Sequence, residues 1–199
     1  MSKASQIKVW DPFVRFFHWA LVSAFTIAYF TEEDLLEIHS WAGYLVLILL
    51  CVRFAWGFIG TRYARFSDFI YSKETIIQFL KDTLNLKAKR YIGHNPAGGA
   101  MIILLMASLF ITTTSGIILL GADEHAGPLA AWFTRPESMW ADIFEELHEF
   151  FANFTALLVI VHLAGVFLES RIHKENLARA MISGFKENRE NTPLEEDKP

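Results

Sequence analysis

The chain has 199 residues, 53 % of them hydrophobic and only 20 % charged, with 18 phenylalanines, 6 tryptophans and a net charge of −4. This balance fits a membrane protein of one domain and gives no basic excess with which to hold nucleic acid. Cys51 is the only cysteine, which excludes an internal disulfide, a cysteine-ligated iron–sulfur cluster and a C-x-x-C-H haem attachment.

Four stretches are apolar and long enough to cross a hydrocarbon core of about 30 Å, which takes about 20 helical residues. They run over residues 13–30, 39–59, 98–120 and 147–168. The first reads as a span and not as a secretory signal, since no small-residue cleavage site follows it. Asp11-Pro12 supplies an N-cap and a first-turn proline before span one, and Asn95-Pro96 does the same before span three. Between spans two and three, Ser72 caps a segment over 73–84 in which Ile76, Ile77, Phe79, Leu80 and Leu84 recur near a helical period. That pattern predicts a helix lying on the membrane surface. Residues 136–146 read as a helical extension of span four into the outer compartment. Residues 1–188 form the membrane domain, and the polar, proline-containing tail over 189–199 is expected to be disordered. Cys51, in mid-span, reads as a small buried apolar residue.

Of the 18 lysines and arginines, Arg135 alone falls in a segment assigned to the outside. The positive-inside rule therefore puts both termini and the loop between spans two and three in the cytoplasm. The opposite face is acidic, with Glu32, Glu33, Asp34 and Glu37 in one loop and Asp123, Glu124, Glu137, Asp142, Glu145 and Glu146 in the other.

Titratable imidazoles in apolar spans are costly and mark function by default. Four histidines lie in or at the edges of the spans: His18, His39, His148 and His162. His148 and His162 are both on span four, fourteen residues apart. That returns them to nearly one helix face with a rise of about 21 Å. Alternating span direction sets His18 level with His162 on the inner side, and His39 level with His148 on the outer side. Two imidazoles leave zinc short of its four ligands. They satisfy haem iron, whose remaining ligands come from the porphyrin, and they close both axial positions, which favours electron transfer. The competing reading is that each histidine is a polar tie between helices. Matched depths weigh against it.

Gly43, four residues after His39, and Gly165, three after His162, would make room for a porphyrin edge or else allow close helix packing. Gly116, in the run Thr112-Thr113-Thr114-Ser115-Gly116, lies at the outer level, and those hydroxyls can bond back to their own helix. Arg53 in span two and Arg15 in span one are candidates for haem propionates, with snorkelling to the surface as the alternative. His94 reads as part of the helix start at Asn95-Pro96, His125 as solvated and His173 as a surface residue.

The sequence also resembles the bacterial cytochrome b561 superfamily, in particular its NiFe-hydrogenase-type b cytochrome subunits. The resemblance covers about residues 8–170. It rests on the run Val9-Trp10-Asp11-Pro12-Phe13-Val14-Arg15-Phe16-Phe17-His18-Trp19, on His39 and Gly43, and on Arg53-Phe54-Ala55-Trp56-Gly57-Phe58-Ile59-Gly60-Thr61-Arg62-Tyr63-Ala64-Arg65-Phe66. Gly93-His94-Asn95-Pro96 and the spacing of His148 and His162 complete it. It implies two b haems ligated by His18, His39, His148 and His162, and for His94 a role near the inner haem or a quinone as the alternative to helix entry. It also implies electron exchange between the quinone pool and a protein on the outer face, either a c-type cytochrome or a hydrogenase-like subunit. The expected architecture is all-α: an integral membrane four-helix bundle with two b haems stacked across a bacterial inner membrane, in contact with lipid and quinone. A quinone-coupled oxidase of superoxide, as shorter members of the superfamily imply, is the alternative within redox chemistry. A haem-free transporter or membrane anchor is the alternative outside it.

Overall fold

The computed structural model describes residues 6–32, 35–133 and 139–188. Glu33, Asp34, Arg135, Pro136, Glu137 and the tail from 189 onward lie outside these residues, so the expectations placed on them are not addressed by the fold. In chain order the elements are β1 (Gln6–Lys8), α1 (Pro12–Thr31), α2 (Leu36–Ile59), α3 (Phe66–Phe69), α4 (Lys73–Leu84), α5 (Pro96–Ala122), α6 (Met139–Ile172), α7 (Leu177–Ser183) and β2 (Phe185–Glu187). Short 3-10 turns cover Arg62–Ala64 and Ala130–Trp132. The helices α1, α2, α5 and α6 are each long and apolar enough to cross a membrane. They contain the four expected spans.

The helix starts follow from the expected caps. The Asp11 carboxylate accepts the Val14 N–H at 2.8 Å, and Pro12 opens α1. Asn95 accepts the Gly98 N–H at 2.6 Å ahead of Pro96, and Ser72 accepts the Thr75 N–H at 3.3 Å to start α4 at Lys73. Each cap satisfies a backbone donor that the first helical turn leaves open. α6 has 34 residues, about 51 Å at 1.5 Å per residue, and so outruns a bilayer core, as the expected extension of span four requires.

Close packing joins α1 to α2, α2 to α5 and α5 to α6; neither α1 nor α2 packs as closely on α6. Ala24, Val46, Leu50 and Leu109 form the mid-bundle core. Large apolar side chains such as Phe16, Ile48, Phe54, Phe58, Ile160 and Phe167 point outward along the spans, as lipid contact demands. Cys51 also faces outward, contrary to the buried position expected for it, because the inward face of that turn is taken by Leu50 and Arg53.

Both described chain ends meet at one end of the bundle, here called proximal. There β1 and β2 pair antiparallel, Gln6 opposite Glu187 and Lys8 opposite Phe185. The Gly184 carbonyl accepts the N–H groups of Val9 and Trp10, and the Arg15 guanidinium donates to the Ile182 carbonyl at 2.6 Å. Arg15 is thus tied to the C-terminal segment through one terminal nitrogen, while its Nε is buried without a hydrogen-bond partner. Asp11 also accepts from Thr61 Oγ1 at 2.6 Å and Trp56 Nε1 at 3.2 Å, which joins the start of α1 to the end of α2. A second buried cluster centres on Glu169, which accepts from Asn95 Nδ2 at 3.0 Å and Thr83 Oγ1 at 3.4 Å and pairs with His173 at 3.3 Å. His173 is therefore largely enclosed by this cluster, not the surface residue expected. Arg90 pairs with Glu175, beside which Lys186 lies buried and donates to the Tyr91 carbonyl at 3.2 Å.

Burial pushes the Asp11 carboxyl up, but its hydrogen bonds from Thr61, Val14 and Trp56 outweigh this and hold it below its ordinary 3.8. The stability it confers is present above that value and is lost as pH falls through the lower folded one. Asp11→Ala should lower stability by about 2 kcal/mol, read as thermal unfolding in detergent at neutral pH, since a cap and two inter-helix bonds are lost together. The difference from the unmodified chain should shrink below pH 3.8.

Candidate cofactor sites

At the distal end, His39 on α2 and His148 on α6 face each other with ring centroids 5.8 Å apart and planes at 70°. His39 Nδ1 lies 2.9 Å from the Ala28 carbonyl of α1, and His148 Nδ1 lies 2.8 Å from the Thr112 carbonyl of α5. A carbonyl only accepts, so each Nδ1 carries the proton and donates it, and each Nε2 keeps its lone pair. This is how metal-ligating histidines are oriented from behind. The His148 ring rests on Gly116, where an added Cβ would lie 2.7 Å from His148 Cε1; no side chain can stand there unless the ring moves. The hydroxyls of Thr112, Thr113, Thr114 and Ser115 all bond back to carbonyls of α5, as their sequence suggested. Ser108 and Thr155 join α5 to α6 at 2.7 Å.

At the proximal level, His18 on α1 and His162 on α6 lie within electrostatic reach of each other. His18 Nδ1 is buried and has no hydrogen-bond partner. Arg53 is only 3 % exposed. One of its terminal nitrogens donates to the Ala64 carbonyl at 3.1 Å, and the guanidinium rests against the rings of Phe66 at 5.5 Å and Phe17 at 6.0 Å. Its other terminal nitrogen, Nη1, is buried without a partner, and among the described residues no carboxylate comes within ion-pair distance of it. The Asp11 carboxylate lies within electrostatic reach of the guanidinium but makes no ion pair with it. His94 packs against Trp10 at 4.5 Å and Phe69 at 4.7 Å, with its Nδ1 also buried and unpartnered. Burial, with the neighbouring charges of Arg53 and Lys186, pushes its pKa down to about 3, so the ring is neutral at physiological pH.

A Cβ added at Gly43 or at Gly165 would meet nothing within 4 Å. Neither glycine is therefore a close-packing residue, and both border open space. The faces of α1 and α2 that carry His18 and His39 are the ones not closely packed on α6. Among the described residues no cluster of three or more His, Cys, Asp or Glu side chains could hold a metal ion by itself. A planar group that brings its own equatorial ligands fits the donor set: two Nε2 lone pairs at the distal level, and at the proximal level an orphaned imidazole nitrogen beside an unpaired buried cation. Sequence reasoning missed the carbonyls of Ala28 and Thr112, because a backbone acceptor has no side-chain signature. It also underrated His94, whose enclosure comes from residues distant in the chain.

The chain matches the family of prokaryotic cytochrome b561 over residues 9–184. It is 25 % identical over 167 residues to a probable Ni/Fe-hydrogenase B-type cytochrome subunit of Azotobacter vinelandii, covering 78 % of this chain and 69 % of that protein. It is 24 % identical over 160 residues to a protein of the same description from Cupriavidus necator, covering 74 % and 65 %. The chain thus spans about two thirds of the length of these relatives. No solved structure matches it. Nearly all of the described fold, from the first strand's end to the turn before the last strand, lies within the family match, and the chain belongs to the prokaryotic cytochrome b561 family, membrane helical bundles that carry b-type haem and transfer electrons across the bilayer.

Proposed function

We propose that the chain is a di-haem cytochrome b of the bacterial inner membrane, linking the quinone pool to a redox partner on the outer face. The supporting observation is the distal pair, two imidazoles 5.8 Å apart with both Nδ1 atoms committed to backbone carbonyls and both Nε2 atoms free to ligate. His39 and His148 would hold the outer haem, and His18 and His162 the inner one. Gly43 and Gly165 leave room beside these sites, and Arg53 supplies a buried charge for a propionate. Each haem, when bound, would supply one-electron redox chemistry.

The protein's own part is positional and electrostatic. The Ala28 and Thr112 carbonyls hold the distal rings in one tautomer and raise their basicity as ligands. The back-bonded hydroxyls of α5 keep that helix free of unsatisfied polar groups. The basic residues near the chain ends favour cytoplasmic termini, by the positive-inside rule. Both relatives are named as hydrogenase subunits, which supports a hydrogenase-like partner; the acidic outer loops suit a basic c-type cytochrome equally.

Purified protein should carry two non-covalent b haems per chain in a pyridine haemochrome assay; a value of one or none would refute the pairing. In redox titration, His18→Ala or His162→Ala should remove one component, and His39→Ala or His148→Ala the other. If the His18 and His39 variants lost the same component, the depth assignment would be wrong.

Gly116→Ala should displace the His148 ring and lower occupancy of the outer haem while sparing the inner. Gly43→Ala, which meets open space, should leave the fold stable, and the bulkier Gly43→Leu should lower outer haem occupancy. Equal loss of both haems would count against this arrangement.

Electron exchange with a basic partner should slow as salt rises, since the screening length is about 8 Å at physiological ionic strength. Neutralising Glu32, Glu33 and Asp34 together should flatten that dependence in stopped-flow measurements. Rates indifferent to salt would point to a permanent, largely apolar interface with an enzyme subunit.

A further inference from the structure

The proximal end holds two buried polar side chains with unused donors on different elements. Arg53, on α2, is enclosed by Phe17, Phe66 and the Ala64 carbonyl, and keeps Nη1 without a partner. His94, just ahead of α5, is held between Trp10 and Phe69 and keeps Nδ1 without a partner. The two are electrostatically coupled, and His94 also feels His162. Phe66 and Phe69 touch each other at 5.7 Å and so link the walls of the two sites. Asp11 acts on the Arg53 guanidinium electrostatically without pairing with it, so Nη1 stays buried with its hydrogen-bonding capacity unused. Two further facts narrow the anion that would answer it. The surroundings are aromatic, which disfavours an ion that keeps its hydration shell. The two donors also differ: Arg53 is a cation and His94 a neutral ring, a combination suited to one carboxylate accepting from both.

We propose that Arg53 and His94 together form the carboxylate site that receives a propionate of the inner haem, so that His94 is a binding residue for the cofactor and not only part of a helix start. This rests on the assignment of the inner haem to His18 and His162. By donating to the propionate, both residues offset its negative charge and favour the ferrous form, which raises the midpoint potential of that haem alone. Arg53, as a cation, has the larger effect.

The test uses intact protein in detergent with both haems bound. His94→Phe keeps an aromatic ring between Trp10 and Phe69 but removes the donor; His94→Gln keeps a donor; Arg53→Lys keeps the charge and Arg53→Gln removes it. The haem count per chain, the two midpoint potentials and the propionate bending bands in resonance Raman spectra are measured for each. The expected result for His94→Phe and Arg53→Gln is a shift of the inner component's ferrous-to-ferric ratio of about tenfold or more toward ferric, about 59 mV for one electron. The outer component should not move, the propionate bands should change, and His94→Gln and Arg53→Lys should lie nearer the original protein. Should Arg53→Gln fail to fold, His94→Phe and Arg53→Lys carry the test.

An unmoved inner potential in both His94→Phe and the folded Arg53 variants, with two haems retained, would overturn the proposal. So would equal shifts in both components. A loss of quinol oxidation with the inner potential unchanged would overturn it as well, and would assign His94 to the quinone instead. Failure of the underlying haem assignment is seen separately, since His18→Ala would then remove no haem.

Discussion

The Asp11 carboxylate sets the height at which the first two spans stand against each other. It accepts from the Val14 N–H at the start of α1 and from Trp56 and Thr61 at the end of α2, three donors on one buried group. A helix is a ruler of 1.5 Å per residue, so this one tie fixes how deep His18 and Arg53 lie below it. The other end of the same hairpin is tied by His39, whose Nδ1 donates to the Ala28 carbonyl of α1. The α5–α6 pair is pinned in the same way, by Ser108 with Thr155 in mid-bundle and by His148 with the Thr112 carbonyl. Two helix pairs are thus each held in register by polar ties, and His39 of one faces His148 of the other.

Inside a bilayer there is no water to satisfy a stray donor, and most of this chain obeys that constraint strictly. Four consecutive hydroxyls on α5 turn back to their own helix. The exceptions are therefore informative. Arg15 Nε, His18 Nδ1, Arg53 Nη1 and His94 Nδ1 are buried without hydrogen-bond partners, and all four belong to the proximal half. A fold that satisfies its polar groups nearly everywhere thus concentrates its unused hydrogen-bonding capacity in one region. Among the described residues the distal half has no such unpartnered group, and its two histidines direct their Nδ1 atoms to carbonyls.

Much of this was legible in the sequence, for reasons that are local. Spans announce themselves by length and apolarity, and Asp11-Pro12, Ser72 and Asn95-Pro96 mark helix starts because caps act within three residues. The meeting of His39 with His148 was legible because helix rise converts sequence number into depth. What the sequence did not disclose is carried by long-range contacts. The pairing of β1 with β2 joins segments near opposite chain ends, three residues each, with no periodic signal. The enclosure of His173 depends on Glu169 being held by Asn95 and Thr83 from two other elements. Cys51 sits in a span that is apolar all round, where composition does not tell the inward face from the outward one.

The strand pair at the proximal end also has a consequence for biogenesis. Residues 6–8 leave the ribosome long before their partners, residues 185–187. The Gly184 carbonyl that receives Val9 and Trp10 is equally late. Until then the start of the chain lacks its hydrogen-bonding partners, and α1 stands beside α2 without the C-terminal segment that Arg15 grips. The bundle is therefore latched only after all four long helices have been made. Up to that moment the proximal end stays unclosed.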